Sequence, residues 1–316
     1  GGYILFGRDF DGKTKDEVVD DIHSYQNEAD IPLLIGVDEE GGTVVRVSSN
    51  PNLRETPFLS PKDTYADGGW DAVKQDAEEK ADLLLSLGIN VNLAPVCDMT
   101  SDEYGFMYDR SFSSDVDMEN RYVRTVVETS KSKKLGTVLK HFPGYGNNSD
   151  THTGIAYDDR DYSEFENTDF KPFYQGIESG ADCILVSHNI VNCMDSEYPA
   201  SLSQKVHDIL RNEFKFDGVI MTDDLIMDAI TDFTGDEAAA VTAAKCGNDL
   251  LCCSSVNTQY PAVLEAVQNG EIPEAQVDAS VKRILKWKQN LGIFSIDTYQ
   301  KKVKSTEPTD TVGSEE

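Results

Sequence analysis

Short apolar runs alternate with segments of helical spacing along most of this chain. Seven runs stand out, at residues 3–7, 32–38, 89–96, 137–142, 183–188, 218–222 and 249–253. Helical spacing occupies intervals between them, for example residues 71–87, 169–179, 201–214 and 237–246. Runs that are apolar throughout are typical of strands buried on both faces of a parallel sheet. The order therefore predicts an α/β fold in which helices follow strands.

Two features favour a closed barrel over an open, doubly wound sheet. No glycine-rich phosphate fingerprint follows the first run, whereas a dinucleotide-binding sheet carries one there. Polar residues lie at the carboxyl ends of nearly all the runs: Arg8, Asp38, Asp98, His141, His188 and Asp223. A barrel brings all its strand ends together around one mouth. We predict a (β/α)8 barrel of the TIM type. Since only seven runs are visible, its first strand and helix are expected to be lacking or truncated at the start of the chain.

The predicted barrel extends over residues 1–297 as one catalytic domain. The residues that follow, 298–316, include a segment rich in Lys, Ser, Thr, Asp and Glu. Such a composition buries too little apolar surface to fold, so we expect a disordered polar tail.

Composition excludes several classes of function. A formal net charge of −29 over 316 residues repels nucleic acid and anionic membranes, so neither is expected as a partner. No stretch approaches the roughly 20 apolar residues of a membrane-spanning helix. The acidity favours a neutral substrate or a cation-rich surrounding, and the alternative is that it serves solubility alone. We expect a monomer.

Six cysteines are spread along the chain without a CxxC pair, so we expect neither a disulfide framework nor a structural zinc site. No signal peptide is visible, but the chain opens on a predicted strand, so this says little about export. Acidity and the polar tail favour the cell envelope or exterior, whereas unpaired cysteines favour the cytoplasm.

Two segments carry polar residues with open interpretations. Residues 35–46 place acidic side chains directly after a predicted strand, with two glycines that let the backbone turn closely beside a ligand. Such a loop is typical of a metal site or of simple solvated charge. Residues 108–112 contain Arg110, which either binds a substrate or holds a neighbouring carboxylate.

Residues 140–152 contain two candidate groups. Lys140 and His141 end a predicted strand, where a basic pair suits hydrogen bonding to hydroxyls. Asp150 and His152 are two residues apart, so their side chains can meet on one side of a turn. A carboxylate beside an imidazole raises its pKa and fixes its tautomer, as a general acid near neutral pH requires. The alternative is a loop pair without a role.

Within residues 216–225, the predicted strand at residues 218–222 delivers Asp223 to its carboxyl end. A carboxylate there can attack the anomeric carbon of a sugar, and it can equally ligate a metal. The adjacent Asp224 either orients Asp223 or binds elsewhere.

Together these segments resemble glycoside hydrolase family 3, and more narrowly its β-N-acetylglucosaminidase branch. Four blocks, Asp-x-Glu-Gly-Gly, Arg-Ser-Phe, Lys-His-Phe-Pro-Gly and Thr-Asp-Asp-Leu, occur in the family's order and approximate spacing. The resemblance extends from about residue 2 to residue 294.

The resemblance implies a role for each matching residue. It makes Asp223 the nucleophile and His152, paired with Asp150, the acid/base. It implies that the sugar is bound by Asp38, Arg46, Arg110, Lys140 and His141. The chain departs from the branch at Tyr145, where a second histidine is usual, and at Thr151, where serine is common. We expect His188 to be structural.

The implied reaction is retaining hydrolysis of terminal β-linked N-acetylglucosamine from glycans or peptidoglycan fragments, by double displacement and without a metal or cofactor. Two alternatives stay open. A histidine acid/base does not repel phosphate, so the same site suits an N-acetylglucosaminide phosphorylase. The other alternative is a catalytically silent carbohydrate-binding barrel.

Overall fold

The computed structural model describes residues 1–146 and 154–300. Each of the seven predicted runs overlaps a strand of one parallel sheet, which confirms the α/β class. Including a second, two-stranded sheet, the strands are β1 Gly2–Leu5, β2 Leu34–Val37, β3 Val91–Asn92, β4 Gly136–Phe142, β5 Tyr157–Asp158, β6 Cys183–Val186, β7 Ile190–Val191, β8 Val219–Asp224 and β9 Leu250–Cys252.

Helices occupy most of the intervals between strands. They are α1 Gly7–Phe10, α2 Lys15–Asn27, α3 Pro61–Leu87, α4 Val116–Lys133, α5 Tyr162–Asn167, α6 Phe170–Ser179, α7 Gln204–Asp208, α8 Asp228–Thr231, α9 Asp236–Lys245, α10 Val256–Gln268 and α11 Glu274–Asn290. Within the described residues, no helix is long and apolar enough to cross a membrane.

Two helical segments differ from their predicted bounds. Helix α3 begins ten residues before the predicted start at residue 71, because Ser60 accepts a hydrogen bond from the Asp63 N–H and Pro61 occupies the first turn. Its two halves meet at a kink at Gly68 and Gly69. The segment predicted as one helix over residues 201–214 is a 3₁₀ turn, helix α7 and a π-helical turn in succession.

The large sheet has the strand order β1-β2-β3-β4-β6-β8-β9, and every neighbouring pair is parallel. Both edge strands contribute side chains to one apolar cavity of about 460 Å³, which is also lined by Leu34, Val91, Val138 and Trp287. The sheet is therefore curled, as in a barrel. Among the described residues no strand joins β1 to β9, so the predicted barrel is present but incomplete.

The interior of the curled sheet is closed at one end by helix α11. Trp287 and Leu291 pack against side chains of β2, β3, β4, β6 and β8 in one buried cluster. The polar groups lie at the other end, where the strands reach their carboxyl ends. The domain limit at residue 297 and the disordered tail stay predictions, since residues 301–316 lie outside the described residues.

Candidate active site

The carboxyl ends of the parallel strands surround a pocket of about 620 Å³. The structure places six residues singled out from the sequence around it: Asp38, Arg46, Arg110, Lys140, His141 and Asp223. They come from β4, from β8 and from loops after β2 and β3. The convergence follows from the parallel topology, which brings distant segments to one rim. The other predicted pair, Asp150 and His152, lies outside the described residues.

Lys140 lies between two carboxylates at the floor of the pocket. Its Nζ is 2.5 Å from Asp38 Oδ1 and 2.7 Å from Glu40 Oε1. The side chains of Lys140 and Glu40 are only 3% and 2% exposed, whereas that of Asp38 is 18% exposed. Glu40 is therefore a buried counter-ion, and Asp38 is the carboxylate of the two that is available to a ligand.

Arg110 completes this charge cluster. Its Nε and Nη2 donate to the two oxygens of Glu40 at 2.9 and 2.8 Å. Burial alone would raise the pKa of Glu40, but the charges of Lys140 and Arg110 outweigh it, so its pKa lies below the usual range. Of the two interpretations of Arg110, the structure supports a carboxylate partner, and the guanidinium still lines the pocket. The acidic block at residues 38–40 was visible in the sequence, but the specific role of Glu40 was missed.

The imidazole of His141 is fixed by Asp98. Asp98 Oδ2 accepts from the backbone N–H of His141 at 2.9 Å and lies 2.7 Å from its Nδ1. The other ring nitrogen is 3.3 Å from Arg110 Nη2, which is a donor. Both contacts are satisfied when Nδ1 carries the hydrogen and Nε2 accepts. Asp98 also accepts from the N–H of Tyr145 at 2.8 Å, so it ties the loop after β4 to the pocket.

Glu39 points away from the pocket floor and organises the next loop. Its carboxylate accepts from the backbone N–H groups of Arg46 at 2.9 Å, Val47 at 2.7 Å and Ser48 at 3.2 Å. Three backbone donors on one carboxylate hold the loop in a single conformation. Arg46 therefore reaches the pocket wall from a fixed backbone.

Asp223 is partly buried near the end of β8. Its Oδ1 accepts from the N–H of Asp224 at 2.8 Å. Burial alone would raise the pKa of Asp223, but nearby His188 and His141, this N–H group and Lys140 outweigh it and lower the pKa. The carboxylate is therefore ionised at neutral pH, as a nucleophile or a metal ligand must be.

The neighbours of Asp223 have structural contacts. Asp224 accepts hydrogen bonds from the backbone and hydroxyl of Ser254 and from the N–H of Ile226. His188 is fully buried, with Nδ1 2.7 Å from the Ser201 hydroxyl and Nε2 3.0 Å from the carbonyl of Asp224. These contacts connect β6, β8 and β9 behind the nucleophile candidate.

The metal interpretation of the acidic loop finds no support in the described residues. Among them, no group of three or more His, Cys, Asp or Glu side chains is arranged to hold a metal ion. Asp38 and Glu40 instead contact Lys140, which is the arrangement of a polar ligand-binding floor.

Comparisons with known proteins find relatives over most of this chain. The sequence profile described as the glycosyl hydrolase family 3 N terminal domain matches residues 1–287. A β-hexosaminidase of Hydrogenovibrio crunogenus is 32% identical over 284 residues, which cover 87% of this chain and 78% of that protein. A β-hexosaminidase of Methylobacillus flagellatus is 33% identical over 270 residues, covering 80% of this chain and 73% of that protein.

A solved structure extends the comparison to three dimensions. The family 3 β-N-acetylglucosaminidase from Paenibacillus sp. str. FPU-7 superposes with a TM-score of 0.86 and is 30% identical. The alignment covers 93% of this chain but 57% of the Paenibacillus chain. This chain therefore spans little more than half the length of that structural relative.

Proposed function

This chain belongs to glycoside hydrolase family 3, and from that premise we propose that it is a retaining β-N-acetylglucosaminidase. It removes terminal β-linked N-acetylglucosamine from glycans or peptidoglycan fragments. The observation that carries the proposal is the position of ionised Asp223 in the same pocket as Asp38, Arg110 and Lys140. A nucleophile and a polar floor within one cavity are the parts that glycosyl transfer to a carboxylate requires.

The charge balance of the pocket favours a neutral sugar. Two cations at its floor, Lys140 and Arg110, are already compensated by Glu40 and Asp38. Asp38 is the partly exposed member of the cluster, and a carboxylate can accept two hydrogen bonds from adjacent hydroxyls. Arg46 and His141 complete the polar wall. This supports the assignment of Asp38, Arg46, Arg110, Lys140 and His141 to sugar binding.

The proposed reaction proceeds in two displacements. Asp223 attacks the anomeric carbon and forms a covalent glycosyl ester, while protonated His152 gives its proton to the departing oxygen. Neutral His152 then takes a proton from water, which attacks the same carbon and releases Asp223. Asp150 keeps His152 oriented and favours its protonated form. The roles of His152 and Asp150 depend on the family resemblance, because both residues lie outside the described part of the chain.

One kinetic comparison tests the proposal. Purified protein is assayed on an aryl β-N-acetylglucosaminide and on the matching β-glucoside, with the anomeric form of the first product followed by NMR. We expect a strong preference for the N-acetylated substrate and initial release of the β-anomer. Comparable rates on both substrates would contradict the branch assignment, and initial release of the α-anomer would contradict retention.

The same assay distinguishes the alternatives. With inorganic phosphate present, a phosphorylase releases sugar 1-phosphate in place of the free sugar. A silent carbohydrate-binding barrel binds N-acetylglucosamine in calorimetry without turning over either substrate. Either result would replace the proposed function.

A further inference from the structure

Arg160 contacts two segments of the chain that lie on either side of residues 147–153. On the far side is Asp158, the last residue of β5. Its carboxylate accepts hydrogen bonds from Nε of Arg160 at 3.1 Å and from Nη2 at 2.8 Å. It also accepts one from the backbone N–H of Arg160 at 3.0 Å. These hydrogen bonds between residues two apart fix the turn that follows β5.

On the near side, Arg160 contacts the segment Gly144–Gly146, directly after the Lys-His-Phe-Pro block. Its Nη2 is 3.4 Å from the carbonyl oxygen of Gly144. The α-carbon of Gly146 lies so close to the guanidinium that an added β-carbon would be 2.7 Å from Cζ of Arg160. Gly146 has a φ of +55°, so both backbone conformation and close approach require glycine here.

A second carboxylate completes the arrangement. Nη1 of Arg160 is 2.9 Å from Asp169 Oδ2, and Asp169 packs against the α-carbon of Gly144, whose φ is +122°. The side chains of Asp158 and Asp169 are 3% and 4% exposed, and that of Arg160 is 26% exposed. One guanidinium thus compensates two buried carboxylates, and it uses all three of its nitrogens to do so.

The segment that contacts Arg160 is also hydrogen-bonded to a residue that holds the pocket histidine. Tyr145 lies between the two glycines, and its N–H donates to Asp98, which also holds His141. At the other end, β5 pairs with β7, with Asp158 opposite Val191. Arg160 therefore contacts the segment directly before residues 147–153 and the strand β5 a few residues after them, and the first of these segments shares its hydrogen bonds with the candidate active site.

We propose that Arg160 is a positioning residue for proton transfer, which sets the separation and orientation of the two chain segments that carry His152 between them. The inference rests on the proposed function of His152 as acid/base. A purely structural arginine would affect all steps alike when it is removed. A positioning residue that acts through His152 affects most the steps that need a proton.

The test compares Arg160→Met with His152→Ala and with a control, Arg124→Met, an exposed arginine on α4 that contacts Gln175. Each variant is assayed on aryl β-N-acetylglucosaminides with good and poor leaving groups. We expect Arg160→Met to lower kcat/KM for the poor leaving group at least about ten-fold more than for the good one. Azide attacks the glycosyl ester without a general base. Added azide should therefore restore turnover of the activated substrate by Arg160→Met and by His152→Ala, with a glycosyl azide as the product. Arg124→Met should match the unaltered protein.

A second variant keeps the charge intact. Gly146→Ala adds one methyl group against the guanidinium, so it should displace the loop while leaving all ion pairs available. We expect the same selective loss on poor leaving groups, and a smaller one for Arg160→Lys, which retains charge without the planar fork. If Gly146→Ala and Arg160→Lys slow both substrates equally, without response to azide, Arg160 is only structural.

The outcomes separate this inference from the proposed function. If the unaltered protein cleaves no β-N-acetylglucosaminide, the proposed function fails first. If His152→Ala shows the leaving-group dependence and azide response while the Arg160 and Gly146 variants do not, the function stands and this inference alone is overturned.

Discussion

Arg110 donates two parallel hydrogen bonds to the buried carboxylate of Glu40, one to each oxygen. The same carboxylate also contacts Nζ of Lys140 at 2.7 Å. Glu40 is therefore shared by two cations, one from strand β4 and one from the loop after β3. Removing its charge leaves both cations without their common partner in a site that excludes most solvent.

Glu40→Gln should consequently destabilise the fold as well as the pocket. Breaking a buried ion pair by neutralising one partner costs about 3–5 kcal/mol, which urea unfolding would measure. The matched control is Asp82→Asn, which removes one partner of a surface ion pair: Asp82 is 63% exposed and Lys133 is 35% exposed. Its loss should cost about 1 kcal/mol or less. Equal losses in the two variants would show that Glu40 is not the organising counter-ion.

Asp98→Asn should disturb the tautomer of His141. Asp98 accepts from two N–H groups of His141 and from that of Tyr145, whereas asparagine must turn an NH₂ group toward one of these donors. A loss of about 2–3 kcal/mol in transition-state stabilisation corresponds to a roughly 30- to 150-fold lower kcat/KM. Nitrogen NMR of the imidazole would detect the altered tautomer. Asp115→Asn at the start of α4 is the control, and an unchanged imidazole spectrum would refute the argument.

Asp223 and Asp224 are adjacent but should respond differently to substitution. Asp223→Asn removes the proposed nucleophile, and kcat should fall by at least about 10⁴-fold with little change in Tm. In Asp224→Asn the amide can donate to the Ser254 hydroxyl, which can turn to accept, so activity should fall less than about ten-fold. Mass spectrometry after reaction with a 2-fluoro glycoside would identify the attacking residue. Labelling of Asp224 would reverse the assignment.

The acid limb of the pH profile of kcat/KM should lie at low pH. Because the pKa of Asp223 is below its ordinary value of 3.8, kcat/KM should not fall through protonation of Asp223 until the pH drops below that value. Lys140→Met removes one of the cations that lower this pKa, so the limb should move to higher pH. Lys133→Met, which removes a lysine from a surface ion pair with Asp82, is the control. A limb that is unchanged in Lys140→Met would show that another group sets it.

His152→Ala should slow substrates with poor leaving groups far more than activated aryl glycosides, since only the former need a proton to depart. Asp150→Asn removes the carboxylate expected to raise the pKa of the imidazole. The basic limb of activity should therefore move to lower pH. Steady-state kinetics over a series of leaving groups, under conditions where glycosylation limits the rate, would measure both effects. Equal slowing across the series would redirect the search for the acid to Asp98, Asp224 or His188.

The sequence predicted the strands well because parallel strands are buried on both faces and so appear as unbroken apolar runs. The gathering of Asp38, Lys140 and Asp223 followed from topology, since strand ends of a curled parallel sheet share one rim. The different contacts of the three acidic side chains at residues 38–40 could not be predicted. Periodicity does not say that Glu39 turns to the backbone of the next loop while Glu40 turns inward.

Two short strands were not predicted from the sequence, for a different reason. Strands β5 and β7 have two residues each and lie outside the predicted apolar runs, whereas β3, which is equally short, lies within the run at residues 89–96. The contacts of Arg160 were missed as well, because nothing local to Asp158 and Arg160 indicates that Gly144 and Asp169 lie nearby. Such contacts depend on the tertiary fold rather than on sequence spacing.

The two edge strands of the sheet both reach the pocket. Phe6, beside the end of β1, and Ser254, beside the end of β9, line it together. The width of the sugar site therefore depends on the separation of these two edges. By thermodynamic reciprocity, a ligand that contacts both Phe6 and Ser254 favours the separation at which it binds best, and whatever fixes that separation raises the affinity for the ligand by the same factor.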